Sequence, residues 1–77
     1  MPHVIVKLFP GRSEETKANL AELVTKAVME GAKCSAEAVS VAIIDVAKDD
    51  WDAAVFKPDV QPNLDKLYKK PGTALAP

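Results

Sequence analysis

The chain opens with a β-rich stretch, HVIVKLF (residues 3–9), in which apolar side chains occupy both alternating faces. Because a strand places successive side chains on opposite faces, the pattern predicts a strand with neither face plainly exposed to solvent. One face carries Val4, Val6 and Leu8, and the other carries His3, Ile5, Lys7 and Phe9. Pro10 and Gly11 then end the strand as strong turn residues.

The next segment has a helical period. Ser13 stands where an N-cap belongs, and two glutamates follow it in the first turn, where negative charge suits the helix dipole. The pattern predicts a helix over about residues 13–31, with Gly31 as its stop. Its apolar stripe consists of Leu20, Leu23, Val24, Ala27 and Val28.

A second strand is predicted at VSVAIIDVA (residues 39–47), which is almost continuously apolar. Such runs are typical of strands covered on both faces, as in parallel sheets. Strand, helix and strand in this order form a β-α-β unit with an expected right-handed crossover. The predicted class is therefore α/β (α+β).

The rest of the chain is predicted to be a C-terminal helical extension and tail over residues 51–77, within a single domain spanning 1–77. Pro58 is expected to open the last helix as its first residue. The apolar side of that helix would carry Val60, Leu64, Leu67 and Tyr68, and residues 73–77 would form the tail.

A single β-α-β unit has a burial problem, because it does not cover all the apolar side chains on its two strands. Its helix covers one face of a two-stranded sheet, the other face stays wet, and two strands alone are marginal in water. The apolar residues on both strand faces therefore predict a homo-oligomer, in which two copies join their strand pairs into one four-stranded sheet.

Composition narrows the function classes. The 77 residues are 48% hydrophobic but only 5% aromatic, so the core is aliphatic and disorder is excluded. A net charge of -1 gives no field to steer nucleic acid or an anionic membrane, and neither is an expected partner. The single cysteine, Cys34, excludes an internal disulfide. With no signal peptide or membrane span in the pattern, we expect a cytoplasmic protein.

Pro2 is the most informative single residue, although the first position of a strand is one of the few that tolerate proline. Pro2 behind Met1, the Gly11-Arg12-Ser13 turn after the first strand, and Trp51 after the second form a specific combination. Together with the element lengths, it resembles the 4-oxalocrotonate tautomerase superfamily, which has a tautomerase/MIF-like fold. Trp51 and the late LYKKPG stretch resemble the subgroup named tautomerase PptA.

The resemblance implies that Met1 is removed and that the amine of Pro2 is the catalytic base and acid, without metal or cofactor. The reaction would interconvert enol and keto forms of a small unsaturated 2-oxo acid. A free α-amino group titrates near ~7.7–8, and apolar burial or a nearby cation lowers the pKa of such a group. A base poised near the operating pH shuttles protons best.

The resemblance also assigns substrate-binding residues. Arg12 matches an arginine that binds a carboxylate or enolate oxygen, and Trp51 matches an aromatic residue beside the proline. Ser40 stands where the founding enzyme has a second arginine, so it brings a hydrogen bond but no charge. A monocarboxylate such as phenylenolpyruvate is therefore expected over a dicarboxylate, and the pKa of Pro2 is expected to be higher than in the founding enzyme.

Two alternatives remain open at this point. One is a hydrolytic relative, in which protonated Pro2 helps add water to an acetylenic or haloacrylic acid. The other is a non-enzymatic oligomeric binding module. A dimer is favoured over a hexamer, since residues 52–77 are expected to cover the surface by which shorter relatives stack dimers.

Overall fold

The computed structural model describes residues 1–72. These form two compact units, with the boundary between Asp45 and Val46. The predicted division, a single domain whose extension starts at residue 51, stays a prediction. Among the described residues, no helix is both long enough and apolar enough to cross a membrane.

The first unit is a β-α-β unit, as the sequence predicts. It consists of strand β1 (His3–Leu8), helix α1 (Glu14–Ala32), one turn of 3-10 helix (Ala36–Ala38) and strand β2 (Ser40–Asp45). The two strands pair in parallel, with His3 opposite Ser40 at one end and Leu8 opposite Asp45 at the other. The predicted strands are confirmed, with β1 ending one residue earlier than predicted and β2 shorter at both ends.

Helix α1 covers the sheet face that carries Asp45. The Nζ atom of Lys17 on α1 lies 3.2 Å from a carboxylate oxygen of Asp45 and 3.1 Å from one of Glu14. Residues that alternate with Asp45 along β2, or lie opposite them on β1, share this face. They are Val4, Val6, Leu8, Val41 and Ile43.

The other sheet face is open in a single copy. Ile5 is 52% exposed and Ile44 is 41% exposed, and His3 and Ser40 on the same face are also exposed. Across the described residues the only buried side chain is Val55, which lies in the second unit. The β-α-β unit therefore has no fully buried side chain of its own, which is the burial problem posed by the sequence pattern.

Both ends of α1 are capped. The side chain of Ser13 accepts a hydrogen bond from the backbone N–H of Thr16 at 3.1 Å, as the N-cap prediction requires. The prediction of Gly31 as the stop was wrong. The helix continues to Ala32, and Lys33 takes the left-handed conformation (φ 56°) that lets its N–H bond to the carbonyl of Met29. A lysine thus takes the position in which glycine is common.

The second unit is built from short helices. A 3-10 turn (Lys48–Asp50) leads through Trp51 to a π-helix (Asp52–Val60) and then to a 3-10 helix (Gln61–Lys66).

Two predictions for this segment were wrong. Pro58 does not open the last helix but lies inside the π-helix, and Pro62 stands in the first turn of the helix that follows. Proline has no N–H for the bond to residue i−4 that an α-helix needs. Tyr68 lies beyond the last helix and is fully exposed, so it does not join an apolar side. The predicted tail, 73–77, lies outside the described residues.

We expect replacement of Lys17 by methionine to lower stability, because Lys17 joins α1 to the end of β2. Two hydrogen bonds raise the pKa of Lys17, and the one to Glu14 has a larger effect than the one to Asp45. Because the pKa is raised, the stabilisation that protonated Lys17 provides is fully present below its pKa in the unfolded chain, about 10.4. It is lost as the pH rises through the pKa in the folded protein.

Urea unfolding at pH 7 and near pH 11 measures this effect. At pH 7 the urea midpoint of the wild type should be higher than that of Lys17→Met, and the difference between the two midpoints should be smaller near pH 11. Lys26→Met removes an exposed charge from the same helix and is the matched control. Equal midpoints for the two variants at pH 7 would contradict the assignment.

Candidate active site

Pro2 is held at the amino end of the parallel strand pair. Its carbonyl oxygen accepts a hydrogen bond from the backbone N–H of Ser40 at 3.1 Å. Pro2 itself is half-buried, and Met1 before it is fully exposed. Strand β2 therefore holds the main chain of Pro2 in place. While Met1 is attached, the nitrogen of Pro2 is part of an amide and is not a base.

Ser40 lies beside Pro2 and also bonds to His3. The Oγ atom of Ser40 is 2.6 Å from Nδ1 of His3, and both residues are exposed. This bond follows from the register, because residues directly opposite in a parallel pair share a face.

His3 is not among the site residues that the sequence predicts, and strand alternation places its side chain on the opposite sheet face from that of Pro2. The alternation does separate those two side chains. It carries no information about which β2 residue stands opposite His3.

Arg12 lies at the other end of β1. Gly11 turns the chain with φ 127°, and Nη1 of Arg12 donates to the carbonyl oxygen of Phe9 at 3.3 Å. Pro2 and Phe9 are separated by an extended segment of about 20 Å, at about 3.3 Å per residue. One chain therefore does not bring its own Arg12 to its own Pro2.

Trp51 belongs to the second unit and is half-buried, between the 3-10 turn and the π-helix. Its place beside the proline stays a prediction.

The amino end of the sheet carries groups that are able to transfer a proton. Ser40 supplies a neutral hydroxyl, and a freed Pro2 would supply a basic nitrogen. Within residues 1–72, no three His, Cys, Asp or Glu side chains lie close enough together to hold a metal ion.

A parallel β-α-β unit with a proline at its amino end is the defining feature of this chain. Comparison with known proteins identifies its family. Residues 2–55 match the family described as "Tautomerase enzyme", and the chain belongs to this family. Its relatives include a "Probable tautomerase" of Xylella fastidiosa, 40% identical over 72 residues, covering 94% of this chain and 88% of that protein. The "Tautomerase PptA" of Enterobacter sp. (strain 638) is 37% identical over 76 residues, covering 97% of this chain and 100% of that protein.

Solved structures agree with this assignment. YwhB, a homologue of 4-oxalocrotonate tautomerase, is 46% identical with a TM-score of 0.60, over 62% of this chain and 79% of that one. A 4-oxalocrotonate tautomerase isozyme from Methylibium petroleiphilum is 42% identical with a TM-score of 0.62, over 65% and 81%. The fold is that of 4-oxalocrotonate tautomerase, and family membership supports a tautomerase-type function.

Proposed function

We propose that this protein is a cofactor-free isomerase that interconverts the enol and keto forms of small unsaturated 2-oxo acids, with phenylenolpyruvate as the type of substrate. The observation that carries the proposal is the hydrogen bond from Ser40 to Pro2, which holds Pro2 at the end of a sheet of the tautomerase family. The names of the relatives, tautomerases in each case, support it.

The chemistry begins with removal of Met1, which turns the amide nitrogen of Pro2 into a secondary amine. The neutral amine takes the proton from the enol hydroxyl, and the resulting ammonium returns a proton to the carbon next to the new carbonyl. No atom is gained or lost, and the amine ends as it began. A positioned base of this kind contributes about 10²–10⁴-fold to the rate.

Substrate binding is assigned to a cation and a hydroxyl. The guanidinium of Arg12 has the planar fork that suits a carboxylate, and the hydroxyl of Ser40 suits the oxygen at which charge develops. Trp51 is assigned to the wall of the pocket, where an aromatic side chain excludes water.

The arginine that serves each Pro2 comes from a second copy of the chain. Each strand of the two-stranded sheet has one free edge. When a two-fold axis perpendicular to the sheet joins two β1 edges, the strands at the junction run antiparallel. The carboxyl end of one β1, with Arg12, then lies beside the amino end of the other, with Pro2.

This arrangement gives a homo-oligomer with a four-stranded sheet, and we favour a dimer. The lack of a buried core in the β-α-β unit, whose open sheet face exposes Ile5 and Ile44, supports assembly, because a unit of this size is marginal by itself.

The test is turnover of phenylenolpyruvate, followed as loss of its enol absorbance, by protein from which Met1 has been removed. We expect ketonisation well above the buffer rate and a higher kcat/KM than for a dicarboxylate enol. Hydrolysis of a haloacrylic acid without ketonisation would favour the hydrolytic relative. Binding of these acids without either reaction would favour the binding module, and both outcomes would overturn the proposal.

A further inference from the structure

The single histidine of the chain, His3, is hydrogen-bonded to Ser40, the residue whose backbone N–H bonds to the carbonyl of Pro2. His3 and Ser40 are 37 residues apart in sequence, yet their side chains meet at 2.6 Å on the open sheet face. Ser40 is thus held at two points, since its N–H also bonds to the carbonyl of Pro2. The main chain of Ser40 is fixed against the residue proposed to carry the base, and its hydroxyl is fixed against His3.

The direction of this hydrogen bond decides what Ser40 is able to do. A serine hydroxyl has one proton and two lone pairs, and a neutral imidazole has one N–H and one accepting nitrogen. If Nδ1 accepts, the proton of Ser40 points at His3 and none remains for a substrate. If Nδ1–H donates to Oγ, the hydroxyl proton is left to donate outward.

We infer that His3 is a positioning residue whose Nδ1–H donates to Ser40 Oγ, so that the hydroxyl of Ser40 donates to the substrate oxygen. This inference rests on the proposed function. A hydroxyl that accepts one hydrogen bond also becomes a better donor of its own proton, because hydrogen bonds in a chain polarise one another. The imidazolium also carries Nδ1–H, so both ring states with that proton serve the same purpose.

Kinetics of matched variants test whether His3 acts through Ser40. Loss of a neutral hydrogen bond is worth about three- to tenfold in rate, so His3→Ala and Ser40→Ala should each lower kcat by about that factor. The double variant should be no worse than Ser40→Ala alone. Additive losses would mean that His3 acts independently of Ser40, and they would overturn the inference.

Two conservative variants separate positioning from packing. The side-chain amide of Asn reaches from Cγ, as Nδ1 does, whereas that of Gln lies one bond further out. We therefore expect His3→Asn to restore most of the lost kcat and His3→Gln to restore little. Equal activity of the two would contradict the Nδ1 assignment. Ser35→Ala is the control for Ser40→Ala, because Ser35 is exposed and makes no side-chain capping bond.

A readout independent of turnover comes from nitrogen NMR of protein labelled with ¹⁵N-histidine, since His3 is the only histidine. The wild type should show a protonated Nδ1, and Ser40→Ala should lose that preference. A wild-type Nδ1 that is unprotonated and accepting would overturn the inference even if the enzyme is active. A protonated Nδ1 in a protein without turnover would mean instead that the proposed function has failed.

Discussion

When the nitrogen of Pro2 stays inside a peptide bond, kcat/KM for phenylenolpyruvate is expected to fall by about 100-fold or more. An amide nitrogen has no basic lone pair, so the blocked protein lacks the base that the proposal assigns. An N-terminal extension that prevents removal of Met1 produces this form. The measurement is steady-state ketonisation, with mass spectrometry to establish which residue stands first.

The same extension placed after residue 77 is the matched control and should leave kcat/KM unchanged. Pro2→Ala is the second comparison, because Met1 is also removed before alanine and a primary amine remains. Its kcat should fall between those of the trimmed and the blocked protein, with little change in the unfolding midpoint. Full activity of the blocked protein would rule out Pro2 as the base.

Arg12→Ala is expected to raise KM by about 10- to 100-fold, since a hydrogen bond to a charged group is worth about 1.5–3 kcal/mol. Lysine at this position should restore only part of the loss, because an ammonium does not form the two-pronged contact of a guanidinium. Lys26→Ala removes an exposed cation on α1 and is the control. An unchanged KM in Arg12→Ala would leave Arg12 as a turn residue bonded to Phe9.

A mixture of chains tests whether Arg12 serves the Pro2 of its partner. When Pro2→Ala and Arg12→Ala chains are unfolded together and refolded as dimers, half the dimers are mixed, and each mixed dimer has one intact site. About a quarter of wild-type activity should return, as the symmetry of a two-fold dimer requires. No recovery in mixed dimers that sedimentation shows to have formed would contradict the assignment of Arg12 across the interface.

The β-α-β unit was predictable because local pattern and fold agree over residues 1–45. The apolar run of β2 and the stripe of α1 both require burial, and the strand and helix bounds differ from prediction by only a few residues. The ends were less predictable. Lys33 closes α1 where Gly31 was expected, since a single left-handed residue costs only about 1–2 kcal/mol.

The C-terminal unit was harder to predict from local rules. Proline is common at the first position of a helix, and both Pro58 and Pro62 are candidates for that position. Only Pro62 stands in a first turn. The π-helix that contains Pro58 also contains Val55, which is 5% exposed, and no short-range pattern predicts that burial.

The candidate site, like the fold, was only partly predictable from the sequence. That Pro2 and Arg12 lie at opposite ends of β1 follows from the sequence, because an extended strand of known length separates them. The pairing of His3 with Ser40 does not follow, since the register of two strands joined by a helical crossover depends on how α1 packs. The roles of Pro2, Arg12, Ser40 and Trp51 stay predictions.

The most direct test of the central claim is the titration of the Pro2 nitrogen by ¹⁵N NMR in trimmed protein, set against the pH dependence of kcat/KM for phenylenolpyruvate. The proline amine as base predicts that both curves report the same pKa, and that the kinetic ionisation disappears when the nitrogen is blocked. A kinetic pKa that differs from that of Pro2, or that persists in blocked protein, would assign the proton transfer to another group.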